Sequence, residues 1–129
     1  MSNSNKTLLS ILLTSIIITS IHYTDNAICI SQYPEPEWIT VSGVYLTWGV
    51  LTLIGLAGYW LYAREKLWLA YFCLIIYSAT GLSSPTHYLY GAMSEFSLKM
   101  HFFIWLDAIA GAMVLFFVLR SISSKVVSQ

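Results

Sequence analysis

From Leu8 to Ile21 the chain carries no charged residue, only aliphatic side chains with Ser and Thr. A run of this kind either fills the centre of a large soluble domain or crosses a lipid bilayer. Composition decides between them. Of the 129 residues, 57% are hydrophobic and 9% charged, where a soluble domain carries about 25% charged residues. Such a chain cannot cover a water-facing surface, and its aromatic content excludes a disordered polymer. Net charge is zero, which leaves no basic field for nucleic acid.

A membrane-crossing helix needs about 20 mostly apolar residues. Four segments qualify, at about 8–30, 38–62, 67–90 and 98–119, separated by SQYPEPE, REK and GAMSEFS. Connections this short join antiparallel neighbours. The expectation is an all-α integral membrane protein: a single domain over 1–129 with four transmembrane helices in an up-down bundle. Lys6, Arg64, Lys66, Arg120 and Lys125 fall on one side of this layout, with only Lys99 on the other. The positive-inside rule then predicts both termini cytoplasmic, in a multi-pass protein of the cell inner membrane. Tyr33, Trp38, Tyr62, Trp68, Tyr88 and Tyr90 stand near span ends, where an aromatic belt belongs. No Ala-x-Ala-like site ends the first apolar run, so it reads as a span rather than a cleaved signal peptide.

The first span does not stay apolar. In IHYTDNAICI, His22, Asp25 and Asn26 arrive within five residues. Ser15, Thr19, His22, Asn26 and Cys29 step by four and three, which is one stripe along a continuing helix. Counting about 1.5 Å per residue from each span centre puts His22 and Asp107 in a deep layer. Asp25, Asn26, His87 and His101 come out in a shallower one. Every membrane-embedded His and Asp therefore falls in the same half of the layout, away from both termini. Pro85 interrupts the third span and predicts a kink, or a stop with Ser83 or Ser84 capping a new turn. Gly43, Gly49, Gly55 and Gly58 in the second span, and Ala108, Gly111 and Ala112 in the fourth, predict close helix approach.

Ionisable groups at membrane depth are paired, line a cavity or do chemistry. The plainest expectation is two register-fixing pairs, His22–Asp107 and Asp25–His101, in a non-catalytic subunit or interaction protein. The preferred one is a metal site for zinc, iron or copper, with His87, His101 and either His22 or Asp25 as ligands. Asn26 and Asp107 would then orient ligands or relay protons, and Glu95 lies nearby. An open coordination position would serve a small or lipid-soluble ligand. A haem b held between His22 or His87 and His101 is the third expectation. A His/Asp chain can also handle protons or a cation, although the other half of the layout offers no matching polar path.

Glu35 and Glu37 are expected to be solvated loop charges, since Pro34 and Pro36 hold YPEPEW extended. Cys29 and Cys73 lie at different depths and form no expected disulfide. Partners implied are the lipid bilayer, a small ligand and a homo- or hetero-oligomer. No residue pattern names a catalytic group or a reaction. The layout resembles the EXPERA group (emopamil-binding and sigma-2-receptor-like proteins) in HYTDN, YPEPEW and the IIYS stretch. The second span has Thr47 and Trp48 where that group would place a carboxylate, and the resemblance is not adopted as an assignment.

Overall fold

The structure, a computed structural model, describes residues 2–126. Among them there is no strand. Four helices carry the fold: α1 (Asn3–Ile28), α2 (Val41–Ala63), α3 (Leu67–Leu82) and α4 (Leu98–Val126). Short 3-10 turns occupy Ile30–Gln32, Ser84–Leu89 and Met93–Glu95. Each helix packs on two others, α1 on α2 and α4, and α3 on α2 and α4, so the four close a ring.

Local chemistry sets the helix ends. The Ser2 hydroxyl accepts from Asn5 N–H at the start of α1, and the Thr40 hydroxyl accepts from Gly43 N–H at the start of α2. Ser97 does the same for Met100 at the start of α4. These side chains satisfy donors that the first helical turn leaves free. Between α2 and α3 the chain reverses over Arg64–Glu65–Lys66, with Glu65 at φ 61°. The Arg64 guanidinium lies 4.1 Å from the Trp60 ring centre, a cation–π contact.

As the stripe requires, α1 runs unbroken through His22 to Ile28. The third span is shorter than expected. It stops at Leu82 after 16 residues instead of reaching Tyr90. Pro85 cannot donate to the helical ladder and disfavours helical geometry before it, so the chain tightens into the Ser84–Leu89 turn. Neither serine caps that turn. The Ser83 hydroxyl bonds back to Thr80 C=O, and Ser84 is used elsewhere. Among the described residues, three helices are therefore long and apolar enough to cross a membrane, α1, α2 and α4, while α3 is shorter.

Apolar packing concentrates at the end holding the N-terminus of α1, where Leu8, Leu12, Tyr62, Tyr71, Leu74, Tyr77, Val114 and Val118 form one buried cluster. Its hydroxyls bond one another: Tyr62 with Ser4, and both Tyr62 and Tyr71 with Ser121. A smaller cluster, Tyr33, Phe96, Met100 and Ile104, closes the opposite end. Large apolar side chains such as Ile17, Leu46, Leu53, Phe72, Ile109 and Phe116 face outward, a surface compatible with lipid contact.

Glycine sets the tightest approaches. A Cβ on Gly111 would lie 2.6 Å from the Ser78 carbonyl oxygen, and one on Gly81 would run into the Asp107 carbonyl. The α3 and α4 backbones thus touch beside Asp107. Gly55 and Gly58 admit Tyr77 and Leu74 between α2 and α3, as expected, whereas Gly49 meets nothing within 4 Å. Gly81→Ala should lower stability by about 1–3 kcal/mol through overpacking, read as a fall in detergent melting temperature. Gly49→Ala should melt at or slightly above wild type, because Ala is the better helix former. Equal melting of the two variants would contradict the close α3–α4 contact.

Candidate functional site

The His22 end of the ring is organised around one carboxylate. Asp107 is fully buried on α4, and its Oδ2 lies 2.9 Å from His22 Nδ1 on α1. The Ser84 hydroxyl, just past the end of α3, donates to the same oxygen at 2.7 Å. A carboxylate oxygen can only accept, so Nδ1 carries the hydrogen it shares with Asp107. In the neutral imidazole His22 Nε2, on the other edge of the ring, is then an acceptor. It is buried and has no partner. The expected deep pair is present, and Ser84 joins it because the helix break at Pro85 turns that residue inward.

Beside His22 lies a cavity of about 340 Å³ between α1, α2, the end of α3 and the Ser84–Leu89 turn. His22, Asn26, Glu35, Thr80, Ser84 and His87 supply its polar wall, with Tyr23, Trp38 and Tyr90 as aromatic lining. The ring centres of His22 and His87 are 5.5 Å apart. Glu35 Oε1 lies 2.7 Å from His87 Nδ1, and the Glu35 side chain is 3% exposed. The contact has the distance of an ion pair but not the angles of a hydrogen bond.

Glu35 is therefore no solvated loop charge, in contrast to expectation, while Glu37 is exposed. Pro34 explains the inversion. Its ring packs so tightly on Gly91 that a Cβ there would collide with it. The extended segment is clamped inward over the turn carrying His87.

The shallower residues go elsewhere. Asp25 does not meet His101. Its carboxylate pairs with Lys99 and accepts from the Tyr33 hydroxyl at 2.8 Å, with the Cys29 thiol at 4.0 Å. Burial first, then the bond to Asp25, pushes the Tyr33 phenol up to about 12. His101 Nδ1 is hydrogen-bonded to the Tyr88 hydroxyl at 2.7 Å, within a cluster of rings with Phe96. Glu95 accepts from Ala92 N–H in its own turn. His101 and Asp25 do not line the cavity.

The four residues expected to share a metal, His22, Asp25, His87 and His101, thus divide. His22 and His87 meet, and Asp25 and His101 each have separate partners. Among the described residues, no group of three or more His, Cys, Asp or Glu is placed to hold a metal ion. Asn26 lines the cavity, and Asp107 orients an imidazole. Sequence reasoning missed Glu35, Ser84, Tyr33 and Tyr88 as partners and Thr80 as part of the cavity lining. For Ser84 and Glu35 the available signal was proline, which bends the chain at one and pins it at the other.

No protein-family model matches the chain, and no curated protein or solved structure gives a match. The EXPERA resemblance gains no support from these comparisons.

Replacing Asp107 with Leu strands two buried donors, His22 Nδ1–H and the Ser84 hydroxyl. Each stranded donor costs about 1–3 kcal/mol. Asp107→Leu should therefore melt well below wild type, while Asp107→Asn, which keeps an acceptor oxygen, should lose less. Unchanged melting of Asp107→Leu would contradict the triad.

Proposed function

We propose that this chain is a four-span membrane protein, an up-down bundle with cytoplasmic termini, whose outer half holds a binding pocket for a small or lipid-soluble molecule. One observation carries the reading. Eight buried side-chain atoms among the described residues lack a hydrogen-bond partner, and six belong to residues lining the cavity beside His22. They are His22 Nε2, Asn26 Oδ1, Thr80 Oγ1, His87 Nδ1 and both Glu35 oxygens. Buried polar atoms are otherwise almost always satisfied, and leaving them bare costs more in a low dielectric. Their concentration on one wall is what a polar ligand group would answer. Pairs that only fix register need no cavity beside them.

The spans support the membrane part of the reading. α1, α2 and α4 are each long and apolar enough to cross. α3 reaches about 24 Å at 1.5 Å per residue, short of the roughly 30 Å hydrocarbon core. The Ser84–Leu89 turn, packed on α4, completes the crossing. Non-helical backbone at membrane depth is tolerated where it is buried in protein or lines a cavity.

A metal ion is the second reading, favoured by Asp107 holding Nδ1 and leaving Nε2 available beside His87. His22 and His87 would then be the protein ligands, with Asp107 fixing the tautomer, and neither His101 nor Asp25 would take part. The remaining positions would fall to water or a bound molecule, since among the described residues no third such group converges there.

Thiol accessibility tests the pocket and its orientation together. With Cys29 and Cys73 replaced by Ser and Ala, Ser83→Cys, on the cavity wall, should react in intact cells with a membrane-impermeant methanethiosulfonate. Leu53→Cys, on the outward apolar face, should not. Reaction of Ser83→Cys only after permeabilisation would overturn the orientation. No reaction at all would overturn the open pocket.

A further inference from the structure

We propose that the molecule this pocket takes is an organic cation, a protonated amine carried on an apolar body; the inference rests on the pocket reading above. Of the six unsatisfied atoms on the wall, the Asn26 and two Glu35 oxygens are acceptors, and the Thr80 hydroxyl and the His22 and His87 ring nitrogens can take either role. In its neutral form, with Nδ1–H committed to Asp107, His22 offers the Nε2 lone pair. Asn26 presents its carbonyl oxygen and Glu35 both carboxylate oxygens. Thr80 can adapt its hydroxyl to either role. A ligand that only accepts hydrogen bonds would leave most of this wall unanswered. One bearing N–H donors answers it.

Charge points the same way. Glu35 lines the cavity and Asp107 stands directly behind His22, yet no Lys or Arg lines it. The cation of this end of the ring, Lys99, is committed to Asp25 on another face. The side chain of opposite sign nearest Glu35 is His87, 2.7 Å away without hydrogen-bond angles, and a ligand ammonium would compete with it for the carboxylate. A carboxylate or phosphate ligand would face Glu35 with no Lys or Arg among the described lining residues to oppose it.

Size and lining separate an organic cation from a bare ion. The cavity holds about 340 Å³, within the range of small-molecule sites of roughly 300–1,000 Å³ and far larger than a metal ion needs. Trp38, Tyr23 and Tyr90 add aromatic rings to its lining. An ammonium gains from aromatic faces, and an apolar body gains from burial against the same rings. The absence of three converging metal-ligating groups among the described residues fits this choice over a coordinated ion.

A matched series tests the proposal on the full chain in lipid nanodiscs. The probes are 4-phenylbutylamine, 4-phenylbutan-1-ol and 4-phenylbutanoate, which share a body and differ in the head, together with zinc chloride. The amine should bind saturably and raise the melting temperature. The alcohol should bind on the order of tenfold more weakly, since charge-assisted bonds exceed neutral ones by about that factor, and the acid should not bind. Glu35→Gln should weaken the amine about tenfold, whereas Glu37→Gln, at an exposed position, should leave it unchanged. Equal binding of amine, alcohol and acid would overturn the cation preference while leaving the pocket standing. So would stabilisation by zinc with none by the amine. No binding of any probe, with Ser83→Cys still labelled from outside, would also overturn this inference and not the pocket reading.

Discussion

One oxygen atom, Asp107 Oδ2, ties together the parts of this molecule that do not otherwise belong together. It accepts from His22 on α1 and from Ser84 at the end of α3, while itself sitting on α4. A fully buried carboxylate is expensive, and here Oδ2 takes both donors while Oδ1 has no hydrogen-bond partner. Making the two bonds to Oδ2 fixes the rotation of α1, places the break in α3 and brings α3 against α4. The glycines at 81 and 111 are the steric counterpart: the helices must touch for a side chain as short as serine to reach. The cavity follows from the same geometry. With Nδ1 and the Ser84 hydroxyl engaged on Asp107, Nε2 on the other edge of the imidazole has no hydrogen-bond partner, and His22 lines the cavity.

The two ends of the ring solve the polar problem differently. At the Tyr62 end, hydroxyls meet hydroxyls over an apolar cluster, through Tyr62, Tyr71, Ser4 and Ser121. At the His22 end, the ionisable groups sort into three partnerships: His22 with Asp107 and Ser84, Asp25 with Lys99 and Tyr33, and His87 with Glu35. The Asp25 group is closed, since each carboxylate oxygen has a partner. It pins the segment after α1 to the start of α4. The His87–Glu35 contact is imperfectly aligned and faces the cavity, which is the condition of groups free to reorient toward a ligand.

Much of this was legible in the sequence, for identifiable reasons. The 3.6-residue period of Ser15, Thr19, His22 and Asn26 required one continuing helix, and the structure buries all four. The rise per residue put His22 level with Asp107, because two regular helices share a common ruler. The ruler failed where regularity failed. His87 lies beyond Pro85, so counting along a continuous helix put it too far from His22. Glu35 lies between two prolines, a context that reads as exposed loop until the Pro34–Gly91 contact turns it inward. Asp25 and His101 matched in depth but not in direction around the ring. Their partners, Lys99, Tyr33 and Tyr88, sit at helix starts or in connections, where neither period nor depth can be read.

The account stands or falls on the tautomer of His22. Nitrogen-15 NMR of histidine-labelled protein in nanodiscs reads it directly, with His22→Gln assigning the resonance. The account predicts a proton on Nδ1 and a bare Nε2, with the Nδ1 signal altered in Asp107→Asn and the Nε2 signal moving when 4-phenylbutylamine is added. A His22 that carries its proton on Nε2, indifferent to Asp107→Asn, would contradict it.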